Sequence, residues 1–122
     1  MVAHSGRAHP EEACGILGGP PGHVAQVFCV ENIYHSPVAY YMDPPAQVEA
    51  MLAIEAAGWE IVGIFHSHPA GPPEPSATDV AQAYYPEAVY VILAPDGQGD
   101  WGMRGFEIAD GRAREVGLEV VE

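Results

Sequence analysis

Apolar positions fall in short blocks along the chain, each bounded by Gly, Pro, Asn or Asp. Residues 1–10 carry little pattern and end at Pro10. Ala13 to Leu17 is an apolar run that predicts a strand, preceded by a turn or the end of a short helix. Gly18-Gly19-Pro20-Pro21-Gly22 is a turn cluster, and Val24 to Val30 alternates as a strand, so the two runs predict a hairpin. Asn32 to Tyr41 is mixed, an edge strand or loop packed by Tyr34, Tyr40 and Tyr41, with His35 as a surface or loop histidine. Asp43-Pro44-Pro45 opens a helix with Asp43 as its cap and proline in the first turn. Apolar residues Val48, Met51, Leu52 and Ile54 to Ala56 recur at helical spacing, Gly58 closes the helix, and these residues are expected in the core.

The second half continues in the same way. Ile61 to Phe65 reads as a buried strand, and Thr78 to Tyr85 as a short helix stopped by Pro86. Ala88 to Ala94 is continuously apolar, the mark of a central strand covered on both faces. After a turn at Pro95-Asp96-Gly97, Trp101 to Ile108 and Arg112 to Val121 predict two strands joined at Ala109-Asp110-Gly111, a strong hairpin signal. No repeat or linker interrupts the pattern. A single α/β domain spanning residues 1–122 is expected.

Composition changes this picture at two points. Seventeen acidic residues face four arginines and no lysine, a formal net charge of −13. That balance argues against binding nucleic acid, whose phosphates need Lys and Arg, and it suits a basic protein partner or simple solubility. The missing lysine also excludes Schiff-base catalysis by the chain itself. Cys14 and Cys29 are expected to be buried and reduced, because two isolated thiols do not make a disulfide framework. No apolar run is long enough to cross a bilayer, so the expectation is a cytoplasmic protein with no membrane partner.

The candidate chemistry lies in His66-Ser67-His68-Pro69, which follows the strand at Ile61 to Phe65. Alternation along a strand sends His66 and His68 to the same side, where two imidazoles can share one metal ion. Asp79 returns after a Pro/Gly-rich excursion and can supply an oxygen ligand. Two histidines and a carboxylate leave one tetrahedral position open, as in catalytic zinc sites. A His-x-His pair alone is a weak motif. Ser76-x-x-Asp79 also reads as a helix-capping box, a role compatible with ligation.

The combined pattern His-Ser-His-Pro, a Pro/Gly loop and Pro-Ser-Ala-Thr-Asp resembles the metal signature of the JAMM (MPN-plus) metalloprotease family. The resemblance runs from about Pro10 to the C-terminus. It implies the MPN fold, related to that of cytidine deaminase: a curved mixed β-sheet flanked by two or three helices. It implies Zn2+ held by His66, His68 and Asp79, with Ser76 beside the zinc-bound water and able to donate to the oxyanion. A carboxylate in the position of Glu12 is ordinarily solvated, but Glu12-Ala13-Cys14-Gly15 matches the family's catalytic glutamate and its surroundings. Glu12 is thereby the general base, and Glu11 would face the other way. Ser67 points away from the metal and is expected in packing or supporting hydrogen bonds. Only a stub precedes Glu12, where family members usually carry a strand and a longer helix.

Three readings follow from the resemblance. The first is a zinc peptidase or isopeptidase that cuts after the C-terminal Gly-Gly of a ubiquitin-like or sulfur-carrier protein, releasing cysteine in the second case. The chain has no room for the insertions of eukaryotic deubiquitinases, and a homodimer is left open. The second is a RadC-like protein associated with DNA repair. Ser67 and Ala70 depart from the RadC signature, and the charge is ill-suited to DNA. The third is a non-catalytic MPN binding module, which would lack a ligand or the glutamate, and here neither is missing.

Overall fold

The computed structural model describes residues 1–81, 83, 85, 87–98 and 100–119. Six strands form one mixed sheet: β1 (Cys14–Gly19), β2 (Gln26–Val30), β3 (Glu60–Ser67), β4 (Val89–Pro95), β5 (Trp101–Ala109) and β6 (Arg112–Val116). Their spatial order is β2-β1-β3-β4-β5-β6, antiparallel throughout except for the central parallel pair β3–β4. Helices α1 (Val2–Ala8), α2 (Pro44–Ala56) and α3 (Ala77–Ala81) complete the described elements. The α/β class, the β1–β2 hairpin and the central position of β4 agree with the pattern read from the sequence.

Period-two alternation divides the core between the two faces of the sheet. Ile16, Ile64, Ile92, Phe106 and Ile108 pack with Ala50 and Ile54 of α2 on one face. Leu17, Phe65, Val91 and Leu93 form the other, which Met1, Trp101 and Met103 help to cover. The helix α1 is a correction, since residues 1–10 show no amphipathic pattern. Tertiary packing supports it: Ser5 is fully buried, and the His4 ring meets Phe65 edge-on.

Asp43 caps α2 as expected, accepting a hydrogen bond from Ala46 N, and Gly58 follows its end at φ +75°. Val48 and Leu52, however, are exposed. The helix is apolar around much of its circumference, so spacing could not select the face that Ala50 and Ile54 occupy. Strand β1 continues through Gly18 and Gly19, where a turn was expected. A Cβ at Gly18 would lie 2.6 Å from Ile54, and one at Gly19 would meet the His23 carbonyl. The expected helix to Tyr85 is observed over Ala77–Ala81; Gln82, Tyr84 and Pro86, its stop, lie outside the described residues. Likewise β6 ends at Val116, short of the expected Val121, which is outside the described residues. Both cysteines are free, but only Cys14 is buried; Cys29 lies exposed on the edge strand β2.

Candidate active site

Strand register brings the sequence-predicted residues together. In the antiparallel β1–β3 pair Cys14 stands opposite His66. Continuing that pairing, Ala13 meets Ser67: Ser67 N donates to Ala13 O at 2.9 Å, and Ala13 N donates to Ser67 Oγ at 2.7 Å. One residue further, Glu12 comes opposite His68. Ser67 therefore has the supporting role expected of it, tying the histidine strand to the segment that carries Glu12.

Three ligand-type atoms converge beyond the end of β3. His66 Nε2 and His68 Nε2 lie 3.1 Å apart, and Asp79 Oδ2 is 3.1 Å from the first and 3.0 Å from the second. Asp79 is delivered by the capping box of α3, in which Ser76 N donates to Asp79 Oδ2 at 2.8 Å and Asp79 N donates to Ser76 Oγ at 3.0 Å. The Ser76 hydroxyl acts there as an acceptor, so its own O–H stays free to donate. Glu12 is buried, and one of its oxygens lies with His66 and His68 in a group whose ligand atoms are all within 4.8 Å of one another.

The donor set fits a metal ion. Tetrahedral zinc with bonds of about 2.0–2.1 Å holds its ligand atoms about 3.3 Å apart, close to the separations found here. His68 Nδ1 lies 2.8 Å from Pro72 O. A carbonyl only accepts, so Nδ1 carries a proton; the neutral ring presents its Nε2 lone pair to the cluster, and the protonated ring donates from Nε2 to Asp79. His66 differs: its Nδ1 is buried without a protein hydrogen-bond partner among the described residues. Of the two carboxylates, Asp79 is the one within 3.1 Å of both imidazoles, which leaves Glu12 as their neighbour.

Electrostatics separate those two carboxylates. Burial pushes Glu12 up to about 7, with Asp79 adding to the rise and His68 opposing it. Burial would also raise Asp79, but hydrogen bonds from His66 and His68 outweigh it and hold this group well below the usual carboxylate range. Burial lowers His66; for His68 the opposing effects of Asp79 and Pro72 O win, and its pKa is raised. Burial pushes the Cys14 thiol up to about 12, so beside Glu12 it is an un-ionised packing group that donates to Val30 O. Glu11 turns outward to His35, 3.2 Å away on the exposed side.

The prokaryotic homologs of the JAB domain form a family that matches residues 1–106. The chain belongs to this family. Across its whole length this JAB-domain chain is 39% identical to a CysO-cysteine peptidase of Mycobacterium tuberculosis, covering 85% of that protein. It is 40% identical to a desampylase of Haloferax volcanii over 91% of this chain and 79% of the relative. Among solved structures, the protein DSY2949 of Desulfitobacterium hafniense superposes with a TM-score of 0.81 at 36% identity, over 93% of this chain and 81% of that one. A JAB1/MPN domain protein of Archaeoglobus fulgidus, at 21% identity and a TM-score of 0.62, shares the fold over 98% of this chain and 89% of its own. The MPN architecture expected from the motif is therefore present.

Two residues escaped sequence analysis. Asn32 is buried and uses its whole amide: Nδ2 donates to Glu12 O and Ala39 O, while Oδ1 accepts from Tyr34 N and Tyr41 N. Tyr40, expected only as loop packing, stacks on His66 with ring centroids 4.6 Å apart. A polar residue after an apolar strand and a tyrosine among tyrosines carry no local signal for either role.

Proposed function

We propose that this JAB-domain chain is a zinc-dependent peptidase that hydrolyses the bond after the C-terminal Gly-Gly of a ubiquitin-like or sulfur-carrier protein. The observation that carries this reading is the convergence of two imidazoles and the Asp79 carboxylate beside a buried glutamate near neutrality. The names of the relatives support the substrate class: CysO-cysteine peptidase, desampylase and, in Thermus thermophilus, a probable TtuB-protein conjugate cleaving protease.

In this reading His66, His68 and Asp79 hold Zn2+. The chemistry supplied there is Lewis acidity, which polarises a carbonyl and makes water acidic enough to attack near pH ~7. Glu12 takes a proton from the attacking water onto its carboxylate as the carbon–oxygen bond forms. It then gives that proton to the leaving nitrogen as the carbon–nitrogen bond breaks, so one group acts as base and then acid. A carboxylate poised near the working pH suits both steps. The free Ser76 O–H donates to the carbonyl oxygen as negative charge gathers on it.

The test compares wild type with Glu12→Ala at equal zinc occupancy, on a carrier ending in Gly-Gly-Cys and on an isopeptide conjugate of the same carrier. Release of cysteine by the wild type alone is expected. Cleavage of the conjugate only would move the assignment to an isopeptidase, and no cleavage of either by the zinc-loaded protein would overturn the substrate class.

A further inference from the structure

Among the described residues no protein group gives His66 Nδ1 the hydrogen bond that a metal-binding histidine ordinarily makes. Such residues almost always donate their second ring N–H to a carboxylate, carbonyl or water, which sets both tautomer and ring orientation. His68 has this support from Pro72 O. His66 Nδ1 is buried without a protein hydrogen-bond partner among the described residues, so on that side of the ring only packing holds it, opposite the Nε2 contacts to Asp79 and His68.

Tyr40 supplies that packing. Its ring lies over His66 at 4.6 Å with an interplanar angle of 24°, while the His68 ring meets His66 edge-on at 4.9 Å and 63°. A nearly parallel ring at this distance blocks rotation of the imidazole about its Cβ–Cγ bond, because tilting would drive its atoms into the phenyl face. Tyr40 is itself fixed from both sides. The Asn32 amide binds the residues flanking it, Ala39 O and Tyr41 N, each at 3.0 Å. The same amide donates to Glu12 O at 3.0 Å, so one buried side chain sets the backbone on both sides of the site. Tyr40 also lines a cavity of about 290 Å³ that reaches Gln47, Ile64 and Tyr90. Removing the ring enlarges that space and gives His66 room to turn.

We propose that Tyr40 is the positioning residue of His66, doing by stacking what a hydrogen bond to Nδ1 does at other metal-bound histidines. This inference rests on the reading of His66 as a metal ligand. It needs the flat face of Tyr40 and not its hydroxyl, which separates it from a role in chemistry or general packing.

The experiment is zinc affinity by competition with a chromophoric chelator, for wild type, Tyr40→Phe, Tyr40→Leu and Tyr40→Met. Thermal unfolding of each metal-free protein is followed alongside. Tyr40→Phe is expected to bind within about twofold of wild type. Tyr40→Leu should weaken binding about 10–100-fold, the usual effect of removing an outer support from a ligand. Tyr40→Met fills the space without a flat face and gives the same comparison if Tyr40→Leu does not fold. Wild-type affinity in a folded Leu or Met variant would overturn the proposal, as would equal weakening in Tyr40→Phe. A wild type that binds no zinc would overturn the metal reading itself, and this proposal with it.

Discussion

Ala13 and Ser67 face each other at the end of the β1–β3 pair, joined by Ser67 N to Ala13 O at 2.9 Å and Ala13 N to Ser67 Oγ at 2.7 Å. Ser67 sits between the two histidines and Ala13 directly follows Glu12, so this contact sets the distance between the proposed base and the proposed ligands. Ser67→Ala leaves a buried N–H unpaired at Ala13. A loss of about 1–3 kcal/mol in urea unfolding is expected, with a fall in kcat at unchanged zinc content.

The raised pKa of Glu12 makes the metal-free protein less stable as pH rises. Its folded value of about 7 exceeds the ordinary 4.5, so between those values the folded chain holds a proton that the unfolded chain has released. The protein carries no cost from Glu12 below pH 4.5 and the full cost above about 7. Glu12→Gln should therefore stabilise the metal-free protein at pH 8 by about 1–2 kcal/mol once solvent screening is allowed for, and leave it little changed at pH 4. Urea titrations at the two pH values measure this, and equal effects at both would refute it.

Glu12→Gln should also lower kcat/KM by about 10²–10⁴-fold, the usual worth of a positioned acid–base group. Zinc content should stay at the wild-type level. A variant that lost its zinc would show Glu12 to be a ligand and not the base.

Zinc affinity should fall as pH drops, because a histidine binds metal only when neutral. The pKa of His68 is raised above its ordinary 6.5, so protons compete for this residue already above that value. Zinc titrations from pH 8 to 6 should show weakening affinity and proton release on binding. A flat profile would exclude His68 as a ligand.

Gly15 has no room for a side chain. A Cβ there would collide with Phe65 Cε1 and with the Phe28 carbonyl. Gly15→Ala should destabilise by about 1–3 kcal/mol or more, as overpacking does, measured by thermal unfolding. Gly6→Ala, where a Cβ meets nothing within 4 Å, is the control.

The candidate site was legible only as a combined motif: each short run alone was weak, and Glu12 and the ligand set were read from their joint resemblance to the JAMM signature. His66, Ser67 and His68 follow an apolar strand, and Ser76 with Asp79 forms a capping box that can be read from three-residue spacing. Asn32 and Tyr40 were not legible, since their partners Glu12 and His66 lie 20 and 26 positions away in sequence. The face of α2 was missed for a related reason: both sides of the helix are apolar, and only contact with the sheet distinguishes Ile54 from Leu52.

From sequence alone came the α/β class, the hairpins and the cap of α2, consequences of local periodicity and turn chemistry, while the five candidate site residues came from a combined motif that resembles the JAMM signature. Register needed the folded chain. The pairing of Cys14 with His66 brings Glu12 opposite His68, and a slip of one residue would turn Glu12 to the other face of the sheet. The pKa of Glu12, the burial of His66 Nδ1 and the stacking of Tyr40 likewise exist only when distant segments are packed. Burial and contact are properties of the assembled sheet, and no local pattern encodes them.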